Sequence, residues 1–346
     1  MSSTSVQPEN IATTDVRKKS SLLGCVLQLL TFAMVLGAIA ALGYFFFYET
    51  PIEDENDVVD NSVVIVEPVP VVDPDCPIEI DANPEELAPP CSITSTISQE
   101  EINEAEHPLD PLLKMANYAV EVIEANVQDY TATIVKRVRA DGKLHGEQHM
   151  FCKIRHESKK DEDGVPFSVY TKFSKPKSLR GQEAIWVEGH NDDKLIAHTT
   201  GILNVISFHL DPEGPVAMRG NRYSIRNIGM LNLVKQMIEK GQRERKHGEC
   251  EVVLQRNVRV GNSICTRIEI IHPEPRDHFD FHIAKIYFDD ERDIPIAYEA
   301  YTWPINEGGS PILLERYYYA DIKLNVGLSD EDFDPANKLY EYPNKS

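Results

Sequence analysis

The sequence predicts an α+β protein in which a curled antiparallel β-sheet, shaped as a half-barrel, is covered by two or more helices. One transmembrane helix and a disordered linker are expected to precede this domain. Three observations predict the class: a long apolar run near the N-terminus, an acidic and proline-rich stretch behind it, and about ten β-rich segments joined by short turns. Strands joined by short turns pair antiparallel, whereas parallel strands need long crossover connections.

Residues 22–48 form the apolar run and contain no Asp, Glu, Lys or Arg. A helix of this length measures ~40 Å, which is enough to cross the ~30 Å hydrocarbon core of a bilayer. The basic segment Arg17-Lys18-Lys19 precedes the run and predicts a cytoplasmic N-terminus, residues 1–21. Two alternatives stay open, because Ala38-Ile39-Ala40 has the small residues of a signal-peptide cleavage site and Leu22-Leu23-Gly24-Cys25 resembles a lipobox.

Residues 49–107 are predicted to form a disordered tether. They hold seventeen acidic side chains, eight prolines, no Lys or Arg and no aromatic residue. Such a segment cannot bury enough apolar surface to offset its ordering entropy. Only the valine-rich run 58–72 offers an alternative, a short strand. The tether carries most of the net charge of −21, and the rest of the chain is nearly balanced in charge. It shows no basic stripe of the kind that binds nucleic acid.

The folded domain is expected over residues 108–346 and begins with an amphipathic helix. Asp110-Pro111 supplies an N-cap and a proline for the first turn. Apolar residues then recur at helical spacing as far as Val127. This helix should lie against the sheet.

Strands are predicted wherever β-rich segments lie between turn residues. These segments are 130–139, 144–155, 167–173, 183–188, 194–199, 250–260, 264–272, 279–288, 296–303 and 312–323. Between the fifth and sixth strands we expect a long loop or flap over Gly201–Asn227, followed by a second amphipathic helix over Met230–Lys240 that Gly241 ends. A short acidic helix is expected over Ser329–Phe333.

A sheet of this size must curl, and with two helices over its concave face it should enclose an apolar cavity. The predicted binding site is the lining of that cavity, with packing in an ordinary core as the alternative interpretation. The candidate residues lie on the second helix and on two late strands: Leu231, Val234, Ile238, Phe281, Ile283 and Trp303. The basic and aromatic segment Arg219–Tyr223 of the flap either holds a phosphate head group or is a solvated loop.

His278, Asp280 and His282 alternate along a predicted strand, so their side chains would share one face and could ligate a metal. The alternative is the polar face of a strand. The sequence contains no nucleophile elbow, no phosphate-binding loop, no H-E-x-x-H and no dinucleotide fingerprint. We therefore predict no cofactor and no catalytic residue, and a metal-dependent hydrolase stays as the third candidate function.

Six cysteines are present, and two pairings are open. If the outward side is oxidising, Cys76 and Cys91 of the tether could join, and so could Cys250 and Cys265 of the domain. Spacing does not decide between paired and free thiols.

Three stretches carry a family resemblance. They are Pro166-Phe167-Ser168-Val169-Tyr170 through Gly181 to Gly189, Phe281-His282-Ile283-Ala284 through Pro295 to Trp303-Pro304, and Asp321 to Leu328. Over about Leu109–Tyr342 they resemble the bacterial domain-of-unknown-function family 1571, which has no established activity. The order of elements, together with Phe173-Ser174-Lys175-Pro176, is more distantly similar to the LolA, LolB and RseB group of periplasmic proteins, which have a curled sheet around an apolar cavity.

The apolar run and its basic flank predict a single-pass membrane protein with the domain on the outward side. The resemblance to bacterial envelope proteins makes the inner membrane and the periplasm the expected locations. The leading hypothesis is a membrane-anchored module that holds a lipid or a lipoprotein acyl chain. The alternative is an envelope domain that senses or docks a protein partner, as RseB does. A membrane, a lipid or lipoprotein ligand and an envelope protein are thus the expected partners, and nucleic acid is not.

Overall fold

The computed structural model describes residues 65–66, 92–158, 164–201 and 204–343. The predicted cytoplasmic N-terminus, the predicted transmembrane helix 22–48 and most of the predicted tether lie outside these residues. Within the described ranges, no helix is long and apolar enough to cross a bilayer.

The described residues form an antiparallel sheet of thirteen strands together with three α-helices. The strands are β1 (Ile65–Val66), β2 (Asp129–Ala140), β3 (Lys143–Leu144), β4 (Gln148–Arg155), β5 (Ser168–Lys175), β6 (Glu183–Val187), β7 (Leu195–His198), β8 (Phe208–Leu210), β9 (Glu251–Val260), β10 (Ser263–Ile271), β11 (Ile283–Asp289), β12 (Ile294–Thr302) and β13 (Ile312–Leu324). The helices are α1 (Gln99–Glu104), α2 (Leu109–Asn126) and α3 (Met230–Glu244).

The strand order is β1-β9-β10-β11-β12-β13-β2-β4-β5-β6-β7-β8, and β3 pairs with β2. Two meanders therefore meet where β13 pairs with β2, with Tyr319 opposite Ile134. Strands β8 and β9 flank α3 in sequence but lie near opposite edges of the sheet: β8 is one edge strand, and β9 is next to the short edge strand β1. Since one helix joins the two meanders, α3 has to cross a face of the sheet.

The main core lies on the face that α3 crosses. One contiguous cluster joins α1, α2 and α3 to strands of both meanders, and it includes the fully buried Ala119, Ile134 and Val234. Period-two burial along β2 produces this face, because Tyr130, Ala132 and every second residue up to Val138 is buried. Close packing is visible where α2 meets α3: a Cβ on Gly241 would lie 3.1 Å from Leu113 Cδ2.

A smaller cluster occupies the opposite face of β5 and β6. Tyr170 and Ile185 project there and are covered by Phe333, Tyr340 and Tyr342 of the C-terminal segment. The rings of Tyr170 and Tyr340 stack with centroids 4.2 Å apart. The predicted acidic helix is a 3-10 turn over Asp330–Phe333, and it helps to hold this segment against the sheet.

The prediction of a disordered tether is wrong for residues 92–107. Ile93, Ile97 and Ile102 are buried in the main core, and α1 begins at the N-cap Ser98. The Gln99 side chain also covers the open edge of β9: its Nε2 donates to Val252 O at 3.0 Å and its Oε1 accepts from Leu254 N at 2.8 Å. The prediction of disorder rested on the composition of the whole segment 49–107, in which these three isoleucines are outnumbered by acidic residues.

Helix boundaries differ from the predicted ones for identifiable reasons. α2 begins at Leu109, and Asp110 lies inside its first turn, where it pairs with Arg245 rather than capping the helix. α3 continues through Gly241 to Glu244, because Gly241 gives the space that Leu113 needs. Tertiary contact here outweighs the tendency of glycine to end a helix.

Several strand predictions also need correction. β8 lies inside the predicted flap, and β11 begins at Ile283, so Phe279–His282 form an irregular connection with bends at Asp280 and His282 instead of a strand.

The predicted pairing of Cys250 with Cys265 does not form, because both are free thiols. Because Cys265 pairs in register with Val258, eight residues along the chain from Cys250, a disulfide between the two does not fit the β9–β10 hairpin.

We predict that Tyr130→Phe lowers the free energy of unfolding by about 1–3 kcal/mol, the usual cost of a buried donor left without a partner. The buried Tyr130 hydroxyl accepts from Met230 N at 2.9 Å, at the first residue of α3. Denaturant unfolding of Tyr130→Phe measures the loss. Tyr118→Phe, at a ring that is 44% exposed, is the matched control and should leave the midpoint unchanged; equal midpoints for all three proteins would contradict this assignment.

Candidate functional site

A pocket of about 310 Å³ opens between the N-terminal end of α3 and strands β5 and β6. It lies within the ~300–1,000 Å³ range of small-molecule sites, at the lower end. Phe167 and Trp186 provide aromatic walls, and Ile228 and Leu231 provide aliphatic ones. This combination can remove a short apolar group from water.

The aromatic walls are held in fixed positions. The rings of Phe167 and Trp186 meet edge to face with centroids 5.9 Å apart. Trp186 Nε1 donates to Asp193 O at 3.3 Å, and the Arg226 guanidinium lies 5.7 Å from the Trp186 ring centroid. Arg226 also forms an ion pair with the Asp193 carboxylate. Trp186 thus has its polar atom satisfied and only its apolar surface to offer.

The start of α3 shapes the other side of the pocket. Gly229 precedes the helix with φ +116°, and a Cβ at this position would lie 3.1 Å from the Tyr130 hydroxyl. Only glycine combines that backbone angle with such a close approach. Gly229 has no side chain to cap α3, and the first turn contains no acidic residue. The Tyr130 hydroxyl accepts from Met230 N, and the pocket lies beside this positive end of the helix.

Charged groups of both signs form the rim. Lys235 pairs with Glu124 at 2.7 Å, while Glu157 and Glu188 lie on the side of the strands. His156 donates from Nδ1 to Val127 O at 2.8 Å, and burial lowers the pKa of its imidazole below the ordinary value. His156 is therefore neutral at pH 7. The pocket lining thus combines four apolar side chains with polar and charged ones, among which acidic and basic groups nearly balance.

Of the predicted cavity residues, Leu231 lines this pocket and the others do not. Val234 is fully buried in the main core, and Ile238 packs partly buried against it. Phe281 is 4% exposed and packs against the His272 ring at 4.8 Å, and Trp303 Nε1 donates to His272 O at 3.2 Å. Ile283 is half-buried at the start of β11. The alternative interpretation, ordinary core packing, applies to these residues.

The premise of the metal prediction is wrong. His278, Asp280 and His282 precede β11, so they do not alternate on one strand face. Each has a different partner: the His278 ring stacks on His247, Asp280 pairs with Arg243 at 2.5 Å, and His282 donates from Nδ1 to His272 O at 2.8 Å. Among the residues that the structure describes, no group of three or more His, Cys, Asp and Glu is arranged to hold a metal.

This region instead contains a buried acid and a buried imidazole. Glu244 ends α3, and its Oε2 lies 3.7 Å from His272 Nε2, too far for a hydrogen bond. Burial raises the pKa of the Glu244 carboxyl to about 7 and lowers the pKa of His272 to about 4. Both groups are thus kept neutral in the folded protein at mildly acidic pH.

The fold is a large antiparallel sheet with few helices, and a pocket lies where one of these helices meets the sheet. The chain belongs to the family described as protein of unknown function (DUF1571), whose model matches residues 127–342. The family resemblance inferred from sequence is confirmed. The match begins after α2, eighteen residues later than the predicted start at Leu109. A search of curated proteins finds no match.

Solved structures similar to this chain include a DUF1329 family protein from Desulfovibrio piger, with 14% identity, a TM-score of 0.32, and coverage of 64% of this chain and 97% of the other. A LolA superfamily protein from Nitrosomonas europaea has 13% identity and a TM-score of 0.24, and 63% of this chain and 97% of that one are covered. MucB, solved in complex with MucA(peri), has 13% identity, a TM-score of 0.35, and coverage of 64% and 59%.

Sequence reasoning missed most of the pocket. Phe167 and Trp186 lie in segments predicted as strands, Arg226 lies in the predicted flap and Ile228 follows it, and none of the four was predicted as a site residue. The glycine at 229, directly before a periodic apolar pattern, was the one usable signal, because a glycine at a helix N-terminus often marks a close approach of other atoms.

We predict that Glu244→Gln changes how stability depends on pH. Between about pH 4.5 and 7 the folded Glu244 holds a proton that the unfolded chain has released, so this group makes stability fall as pH rises; His272 acts oppositely between about pH 4 and 6.5. Glu244→Gln removes the first effect only. Urea unfolding from about pH 5 to 7.5 should therefore show stability rising more with pH in the variant than in the parent.

The control for this measurement is Glu249→Gln, because the Glu249 side chain is 44% exposed and pairs with Arg276 at the surface. Its pH profile should follow that of the parent. Parallel profiles for the parent and Glu244→Gln would show that Glu244 ionises as an ordinary carboxylate.

Proposed function

We propose that this domain is a binding module, not an enzyme, and that the pocket beside α3 holds the apolar part of a lipid or of a lipoprotein acyl chain. The observation that carries the proposal is the pocket itself, with Phe167, Trp186, Ile228 and Leu231 around a solvent-connected space of about 310 Å³. Each methylene removed from water there contributes about 0.8 kcal/mol. A volume of this size takes one end of a chain and not a whole lipid.

The finer architecture belongs to the same proposal. We infer that the sheet curls into a half-barrel around α2 and α3. Register shifts in β4, β10, β11, β12 and β13 support this, since bulges bend strands and increase their twist. The single core that joins strands from both meanders to the helices also supports it.

The proposed location is the bacterial inner membrane, with residues 22–48 as a single-pass anchor, the N-terminus in the cytoplasm and the domain in the periplasm. The uncharged apolar run and the basic segment before it support this topology. The acidic tether would let the domain reach the membrane surface without diffusing away. An anchored domain hands a ligand over locally, whereas a free carrier travels between membranes.

A protein partner is the second candidate function, and one observation favours it. Val205 is 62% exposed and Ile206 is 44% exposed, side by side in the connection between β7 and β8. Adjacent exposed aliphatic side chains in a loop are typical of a docking contact. The third candidate, a metal-dependent hydrolase, has no such support, because His278, Asp280 and His282 are engaged with separate partners.

The lipid proposal is tested by fluorescence, because the chain has two tryptophans and only Trp186 lines the pocket. In a Trp303→Phe background, binding of a dibrominated fatty acid should quench the fluorescence of Trp186. Adding Ile228→Phe fills the pocket and should weaken binding about tenfold or more, the equivalent of ~1.4 kcal/mol. Val253→Phe is the matched control, because Val253 is 42% exposed and does not line the pocket. In this variant the fatty acid should quench the fluorescence of Trp186 as strongly as in the background protein.

Two results would contradict the proposal. One is no quenching of Trp186 at any fatty-acid concentration below micelle formation. The other is equal quenching in Ile228→Phe and Val253→Phe, which would place the fatty acid elsewhere. Recovery of a specific envelope protein that is lost in Val205→Asp, together with no quenching, would favour the docking function.

A further inference from the structure

His156 contributes a buried polar atom without a partner to the pocket beside α3. The residue is 8% exposed, and it lines the pocket. Its Nδ1 donates to Val127 O at 2.8 Å, and the ring is neutral, so Nε2 carries a lone pair and can only accept a hydrogen bond. Among the residues that the structure describes, none donates to Nε2. A buried acceptor without a donor is costly, which points to a donor that a ligand supplies.

The His156 ring lies next to the start of α3. It meets the Tyr130 ring edge to face with centroids 5.8 Å apart, and the Tyr130 hydroxyl accepts from Met230 N at 2.9 Å. Burial, and then the charge of Lys235 on α3, lower the pKa of the imidazole. The two nitrogens of an imidazole point in divergent directions, so the bond to Val127 turns Nε2 away from the end of α2. The nitrogen that remains for a ligand thus belongs to a ring that borders both the pocket and the helix.

The first turn of α3 supplies donors to the same pocket. Met230 N is bonded to Tyr130, but the next two amides, those of Leu231 and Asn232, receive no side-chain cap because Gly229 precedes the helix. Leu231 and Asn232 both line the pocket. Amides of the first turn have no acceptor within the helix, and the positive end of a helix favours an oxygen that carries partial negative charge. A carbonyl oxygen on a ligand fits these donors.

The charges of the lining favour a neutral ligand over an anionic one. Both lysine and arginine in the lining already have a carboxylate, because Lys235 pairs with Glu124 at 2.7 Å and Arg226 pairs with Asp193. Three of the described lining residues are acidic and two are basic. An ionised carboxylate on the ligand would therefore meet no unpaired lysine or arginine among these lining residues, and it would lack the hydrogen that His156 Nε2 accepts.

We propose that the pocket beside α3 selects an acyl chain that is attached through an amide. The amide oxygen accepts from the first-turn amides of Leu231 and Asn232, and the amide N–H donates to His156 Nε2. An ester has the oxygen but not the hydrogen, and a carboxylate adds a charge that the lining does not balance. This inference rests on the proposed function, because it names the chemical class of the ligand for the same pocket.

The test measures quenching of Trp186 fluorescence in the full-length Trp303→Phe protein, in a non-ionic detergent at about pH 8, where a fatty acid is ionised. The three probes share one dibrominated stearoyl chain and end in a primary amide, a methyl ester or a carboxylate. The primary amide should bind about tenfold or more tightly than the other two, once each affinity is corrected for the measured partition of the probe into micelles. Only the amide brings a donor to the buried acceptor.

His156→Asn isolates the role of Nε2. The asparagine amide nitrogen is as many bonds from the backbone as Nδ1 of histidine, so it can keep the bond to Val127 O, but no atom replaces Nε2. This variant should bind the primary amide about tenfold or more weakly than the background protein and should bind the methyl ester equally well. The matched control is His149→Asn, which should behave like the background, because His149 of β4 pairs with Glu147 at 2.6 Å and does not line the pocket. If His156→Asn does not fold, the corrected ratio of amide to ester affinity in the background protein decides.

A fourth probe, the dibrominated stearoyl derivative of glycinamide, separates two sources of the amide. If it binds more tightly than the primary amide, the acyl chain belongs to a larger acylated amine, and if it binds more weakly, the ligand is a simple fatty amide; either preference, lost in His156→Asn, supports the proposal.

Two outcomes overturn the inference and separate it from the proposed function. If amide, ester and carboxylate bind alike, or if His156→Asn weakens none of them or all of them equally, while Ile228→Phe still weakens binding, the pocket holds acyl chains without selecting the amide. If none of the probes quenches Trp186, the proposed function and this inference are both wrong.

Discussion

The position of α3 is the constraint on which the rest of the structure depends. β8 and β9 are consecutive strands along the chain, yet they lie near opposite edges of the sheet, and fewer than fifty residues join them. The connection therefore has to pass over a face of the sheet, and it does so as an amphipathic helix whose apolar side completes the core. The hydrogen bond from Met230 N to Tyr130 Oη attaches the start of that helix to the central strand β2.

Three chemically different regions lie along α3, which packs on the core face of the sheet. Its first turn borders the pocket of Phe167 and Trp186, and Lys240 donates to the Tyr223 hydroxyl, which in turn donates to Glu315. Its last residue, Glu244, is buried close to His272. One helix thus connects a pocket, a polar network around Glu315 and a buried acid, and a movement of α3 against the sheet would affect all three.

The sequence predicts local features of this fold better than long-range ones. Turn residues and β-rich segments place most strands, and the helical spacing from Met230 predicts α3. What the sequence does not predict are the contacts that override local patterns. Gly241 lies inside a helix and packs against Leu113. β11 begins at Ile283, after Phe279–His282, whose side chains contact other elements. Ile93 is part of the core although its neighbours in sequence are acidic. Pocket residues such as Trp186 and Ile228 come together only through the crossing of α3, which no local pattern encodes.

Native-state hydrogen exchange is the most direct test of the claim that one sheet is held together by the β13–β2 pair and the crossing helix. The account predicts that amides of β2, β12, β13 and α3 exchange slowly and with the same dependence on denaturant, since they open only when the whole domain unfolds. The opposite result would be two independent patterns, with β9–β13 and β2–β8 opening separately and α3 following only one of them. That result would show two half-sheets that unfold independently, and the pocket beside α3 would lose the rigid frame that it requires.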